Sequence, residues 1–184
     1  MTYDRDIALG GGDDSYESNG LGGKATRISG GDGRNRLLLD LHSHRVRADL
    51  SGSRVTATKV GAEESVRVRG FNGLAVTAKR AVVIGTDRND RISVAACRTT
   101  IKGMKGRDGL YADYNLLPFG AESLTSPRCS DYEATMYGGP GNDDITGYIG
   151  VDRLIGGPGN DSVWGRKGRD VCQGERFTGC EKRI

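Results

Sequence analysis

Through the first half of the chain, apolar and polar residues alternate with a period close to two. RVTATKV (54–60), SVRVRGF (65–71) and LAVTAKRAVVIG (74–85) carry this pattern most clearly. Such alternation predicts half-buried strands. No stretch repeats its apolar residues at helical spacing between recognisable caps, so the chain reads as all-β. Toward the C-terminus the pattern changes. Consecutive nine-residue units appear: GGPGNDDIT (138–146), GYIGVDRLI (147–155), GGPGNDSVW (156–164) and GRKGRDVCQ (165–173). Every unit has Gly at positions 1 and 4 and Asp at position 6. Position 8 is apolar in each: Ile145, Leu154, Val163 and Cys172. Looser copies lie upstream at GMKGRDGLY (103–111), GTDRNDRIS (85–93), GGDGRNRLL (30–38) and LGGGDDSYE (9–17).

One unit reads as a tight turn followed by a short strand. Glycine at positions 1 and 4 is expected to permit positive φ there. Pro140 and Pro158 pre-set φ beside it, and Asn142 and Asn160 tolerate left-handed backbone. Two units make one coil, so the two GGPGND copies stack on one edge, with GYIGVD and GRKGRD on the other. The predicted fold class is all-β, a right-handed parallel β-solenoid. Irregular β-helix coils with degenerate repeats are expected over 1–115, a connecting loop with a strand at its end over 116–137, a β-roll over 138–173 and a C-terminal cap over 174–184.

Composition agrees with this reading. Glycine supplies 30 of 184 residues, more than twice the usual ~7%, without collagen's period of three. The net charge of +3 is small for a nucleic-acid binder, and no basic helix or RNA-binding aromatic motif is present. Arg67, Arg69, Lys79 and Arg80 read as a solvated strand face. No apolar run reaches the ~20 residues of a membrane helix. MTYDRDIALG lacks the apolar core of a signal peptide, so a longer precursor is expected. Of the 4 cysteines, Cys172 and Cys180 bracket the loop QGERFTG, where a disulfide would pin the last turn. Cys97 and Cys129 are the other candidate pair. Disulfides imply an oxidising compartment; buried thiols are the alternative.

Stacked turns bring Asp143 and Asp161 onto adjacent coils, about 4.8 Å apart in backbone. Like charges that close repel by roughly 1–4 kcal/mol. One apolar side chain per unit contributes only about 1.5–3 kcal/mol, against roughly 1–2 kcal/mol of backbone entropy for every ordered residue. A hard divalent cation between the turns would hold them, because carboxylate and carbonyl oxygens suit Ca²⁺. The pattern G-G-x-G-x-D-x-U-x resembles the hemolysin-type, or RTX, calcium-binding repeats. Residues 138–173 resemble it closely and 103–111 less so. The chain as a whole resembles an actinobacterial-type secreted β-solenoid. The resemblance implies a parallel β-roll, Ca²⁺ between stacked turns, an extracellular location and folding on calcium binding. It implies a best site built from the carbonyls of Gly138 and Pro140 with Asp143 on one turn, and Gly157, Gly159 and Asp161 on the next. A weaker site is implied at Asp152 and Asp170, where Tyr148 and Arg166 replace the second Gly and Arg166, Lys167 and Arg169 crowd Asp170. Asp108 and Asp90 are the remaining candidates. Residues 138–184 carry as many basic as acidic side chains, whereas a calcium roll is usually acidic. Pure turn chemistry, with each Asp bonding backbone amides, is the alternative.

Other constellations are sparse. His42 and His44 with Asp40 would share a strand face and suit a transition metal; a pair of surface histidines is the plainer reading. GLGGKAT (20–26) lacks the Ser or Thr that a phosphate loop needs after its Lys. The expected function is a non-enzymatic, secreted calcium-binding repeat protein with calcium ions as its partner. The alternatives are a C-terminal or solenoid part of a secreted enzyme acting on polysaccharide or another polymer, with Tyr111, Asp113, Tyr114 and Arg128 as its candidates, and an adhesin or surface-array segment. No protein or glycan partner can be named from the sequence.

Overall fold

The computed structural model describes residues 5–21, 25–112 and 127–183. Among these there is no helix. The strands form one 17-stranded, mostly parallel sheet, which resolves into two ladders. The first runs through β2 (Ser15–Ser18), the front halves of β4 (Asn35–Asp49), β7 (Phe71–Ile84) and β8 (Arg91–Lys102), then β9 (Gly109–Tyr111), β11 (Asp144–Thr146), β13 (Ser162–Trp164) and β16 (Arg176–Thr178). The second begins at β1 (Arg5–Ala8), β3 (Ala25–Ser29), β6 (Ala62–Arg69) and β5 (Arg54–Lys59). It continues through the rear halves of β4, β7 and β8 to β10 (Glu133–Tyr137), β12 (Ile149–Ile155), β15 (Val171–Gln173) and β17 (Lys182–Arg183). A two-residue strand, β14 (Lys167–Gly168), pairs with the start of β12.

The long strands β4, β7 and β8 cross from one ladder to the other. Pairing lapses where they do so, between Leu41 and Arg45 of β4, at Lys79 of β7 and at Cys97 of β8. Both ladders turn their apolar alternates onto one core. Leu37, Leu39, Leu41, Leu74, Val76, Ile92 and Val94 come from the first, and Val46, Val83, Ile101, Met136, Leu154 and Cys172 from the second. In the repeat region the core side chain is the position-8 residue of each unit: Ile145, Leu154, Val163 and Cys172 are all buried. Partner strands there are offset by 18 residues, as Asp144↔Ser162 and Arg153↔Val171 show.

The parallel order is broken once. β5 pairs antiparallel with both β4 and β6, so this S-shaped excursion adds strands to the second ladder only. Its tight links are Leu50–Ser53 and Val60–Gly61, with Ser53 at φ 58° and Gly61 at φ 82°. Alternation in RVTATKV and SVRVRGF reveals strands but carries no mark of their direction. Both disulfides are formed. Cys97–Cys129 joins β8 to the chain before β10, and Cys172–Cys180 joins β15 to the last turn.

Candidate metal centre

The turns before β9, β11 and β13 share one edge of the solenoid. A shift of 35 residues from the first of these turns to the second, and of 18 from the second to the third, brings each position of one turn over the same position of the next. Two close approaches exclude side chains there. A Cβ at Gly138, position 1, would collide with Asp143 Oδ2 of its own turn and lie 2.6 Å from the carbonyl oxygen of Gly156. A Cβ at Gly159, position 4, would collide with the carbonyl oxygen of Gly141 one coil away. Glycine at position 1 does not take the positive φ expected of it; it makes room for the aspartate, and glycine at position 4 lets the carbonyls of successive turns face the next coil.

The aspartates form two columns. On the first edge Asp90 N–H donates to Asp108 Oδ1 at 2.8 Å, Asp108 N–H to Asp143 Oδ1 at 2.8 Å, and Asp143 N–H to Asp161 Oδ1 at 2.9 Å. Glu175 Oε2 ends this column by accepting from Asp161 N–H at 2.7 Å. On the opposite edge Ala134 N–H donates to Asp152 Oδ1 at 2.8 Å and Asp152 N–H to Asp170 Oδ1 at 2.9 Å. Glu181 Oε2 closes that column on Asp170 N–H at 2.6 Å. The two glutamates escaped the sequence reading because the cap shortens the offset to 14 and 11 residues. No repeat pattern marks them.

One oxygen of each carboxylate except that of Asp90, whose Oδ1 accepts from the Thr86 hydroxyl of its own turn, thus ties coils together. The other oxygen has two fates. Asp152 Oδ2 accepts from Tyr148 N–H at 2.8 Å, and Asp90 Oδ2 accepts from Thr86 N–H. The Oδ2 atoms of Asp108, Asp143, Asp161 and Asp170 are buried with no hydrogen-bond partner among the described residues. An unpaired buried carboxylate oxygen is costly. Burial is the main reason that the Asp143 carboxyl is pushed up to about 6 and that of Asp108 to about 7. The backbone N–H each accepts works against that rise; the neighbouring aspartates, Asp161 beside Asp143 and Asp90 and Asp143 beside Asp108, add to it. Burial also raises Asp152 to about 6 and lifts Asp90, Asp161 and Asp170 above the ordinary carboxylate range.

This donor set contains only carboxylate and peptide oxygens, which a hard cation such as Ca²⁺ prefers. Among the described residues no three His, Cys, Asp or Glu side chains converge, so carbonyls must supply most of any coordination shell. Gly156 O lies beside Asp143 Oδ2 around the missing Cβ of Gly138, and Gly138 O lies beside Asp108 Oδ2 around that of Gly103. The Gly138 carbonyl therefore belongs to the gap between turns 103–108 and 138–143. The Pro140 carbonyl accepts from Gly106 N–H at 3.1 Å across that same gap. Gly157 and Gly159 stack directly on Gly139 and Gly141. On the other edge Asp152 and Asp170 are brought together, and the Arg166 guanidinium lies over the Trp164 ring at 4.8 Å.

The remaining sequence candidates fall elsewhere. Asp40 bonds His42 and accepts from the Thr77 hydroxyl, at the bend of β4. Tyr111 donates its hydroxyl to Asp144 at 3.3 Å and Arg128 is exposed. Asp113 and Tyr114 lie outside the described residues. No helix among the described residues is long and apolar enough to cross a membrane.

Residues 137–172 match the family of RTX calcium-binding nonapeptide repeats, in 4 copies. This segment is an RTX-type calcium-binding repeat array. The RTX match covers the turns built on Asp143, Asp152, Asp161 and Asp170 and leaves out those of Asp90 and Asp108. No curated protein and no solved structure is significantly similar to the chain.

Proposed function

We propose that the protein is a secreted, non-enzymatic RTX solenoid in which Ca²⁺ is structural. The carrying observation is the buried Oδ2 of Asp143 and of Asp161, unpaired in turns lined by peptide oxygens. Asp143 and Asp161, with carbonyls from 138–143 and 156–161, would hold the ion. A bound cation supplies the positive charge that these oxygens lack and stabilises the coil by mass action. The coils wind right-handed. The array over 138–173 depends on the ion, the long-strand coils at 25–102 do not, and the disulfide-pinned segment 174–183 caps the array. The disulfides suit an extracellular setting, where calcium sites work at roughly 10⁻⁴–10⁻³ M. Calorimetric Ca²⁺ titration with far-ultraviolet circular dichroism tests this reading. Wild type should bind calcium and gain β-signal, and Asp143→Ala/Asp161→Ala should lose most of both. Magnesium should not substitute, given its stricter octahedral demand. A wild-type chain that takes up no calcium would refute the proposal.

A further inference from the structure

The second residue of each turn sorts the aspartates into two kinds. It lies in the left-handed region at Gly10 (φ 108°), Met104 (83°), Gly139 (110°), Gly157 (110°) and Arg166 (73°). In those turns the carboxylates of Asp14, Asp108, Asp143, Asp161 and Asp170 each have an Oδ2 without a hydrogen-bond partner among the described residues. Thr86 and Tyr148 occupy the same position without positive φ. Their N–H groups donate to Oδ2 of Asp90 and Asp152. The two arrangements do not mix.

Asn35 shows what an unpaired Oδ2 faces. Its turn also has a left-handed second residue, Gly31 at φ 79°. Its Oδ1 accepts from Asp14 N–H at 2.9 Å, as the aspartates do in their columns. Its Nδ2 donates to Gly31 O at 3.2 Å and to Gly70 O at 3.0 Å. The atom in the Oδ2 place thus looks at two carbonyls, one from its own turn and one from the next coil. With Asn a donor meets them. With an ionised Asp three oxygens meet, and a cation among them would offset their charge. Where the second residue stays outside the left-handed region, a backbone N–H fills the place instead.

We infer that the backbone hand of the second turn residue selects which aspartates hold a cation. The turn at 103–108, beyond the RTX match, is then a calcium site through Asp108 and the Gly138 carbonyl. The turns at 85–90 and 147–152 are closed to calcium by the N–H groups of Thr86 and Tyr148. Met104 and Arg166 matter especially, because a residue with a Cβ enters the left-handed region only under strain. This inference rests on the calcium reading above.

The test counts calcium ions bound to the full chain by native mass spectrometry and calorimetry. Asp108→Asn should bind one ion fewer than wild type and stay folded, since Asn can copy the Asn35 arrangement. Asp152→Asn should bind as many as wild type. Tyr148→Gly should bind one more, whereas Tyr148→Ala, which also loses the edge-to-face stack on Tyr132 at 5.2 Å, should gain none. Equal losses in Asp108→Asn and Asp152→Asn, or no loss in Asp108→Asn, would overturn the inference and leave the calcium reading standing. A wild-type chain without bound calcium would overturn both.

Discussion

The coils around β4, β7 and β8 and those around β11, β13 and β15 have related turns but are held together differently. β4 alone buries Leu37, Leu39 and Leu41 on one ladder and Val46 and Ala48 on the other. β11, β13 and β15 each commit one side chain to the core: Ile145, Val163 and Cys172. At about 1.5–3 kcal/mol for each large buried side chain, the long-strand coils recover several times more of their ordering cost from burial than the short-strand coils do. Their turns differ in the opposite sense. Asn35 satisfies its neighbours with an amide, whereas Asp143 and Asp161 leave an oxygen unpaired. Cohesion passes from side-chain burial to turn chemistry along one continuous solenoid.

The largest effect expected from this contrast is on chelation. Hydrogen exchange with EDTA should lose protection across 138–183 and keep it across 71–102. Uniform loss, or none, would break the contrast. Leu74→Ala, in the buried centre of β7, should cost about 2–5 kcal/mol by chemical denaturation, equally with and without calcium. Removing the Cys172–Cys180 disulfide by Cys180→Ser should cost about 2–3 kcal/mol for so short a loop. Its thermal signature should be confined to the C-terminal coils.

The smallest effect is a pH dependence in chelator. Asp108 near 7 and Asp143 near 6 stand above the ~3.9 of an unfolded chain. Between about pH 4 and 7 the metal-free fold therefore binds more protons than the unfolded chain, and its stability falls as pH rises. Melting temperatures in EDTA should decline across that window. Saturating calcium should reverse the trend, because the ion competes with the proton for the same oxygens.

Much of this was legible in the residues. The nine-residue columns gave the coil, its 18-residue shift and the inward place of Ile145, Leu154 and Val163, because a repeated turn can stack only in register. The antiparallel excursion of β5 and β6 was hidden, since alternation is the same for either strand direction. The two kinds of turn were half visible. Thr86 and Tyr148 depart from the Gly-Gly pattern and do close their turns, yet Met104 and Arg166 depart from it and adopt the left-handed backbone all the same. Residue type alone therefore does not settle that choice.

On the calcium reading, the unpaired Oδ2 atoms of Asp143 and Asp161 are ligands for a cation. A high-resolution crystal structure grown in millimolar calcium tests it most directly. An ion bonded to the Asp143 carboxylate in the gap between residues 138–143 and 156–161 is the expected result. Asp143 Oδ2 hydrogen-bonded to protein or water, with that gap free of any ion, would contradict it.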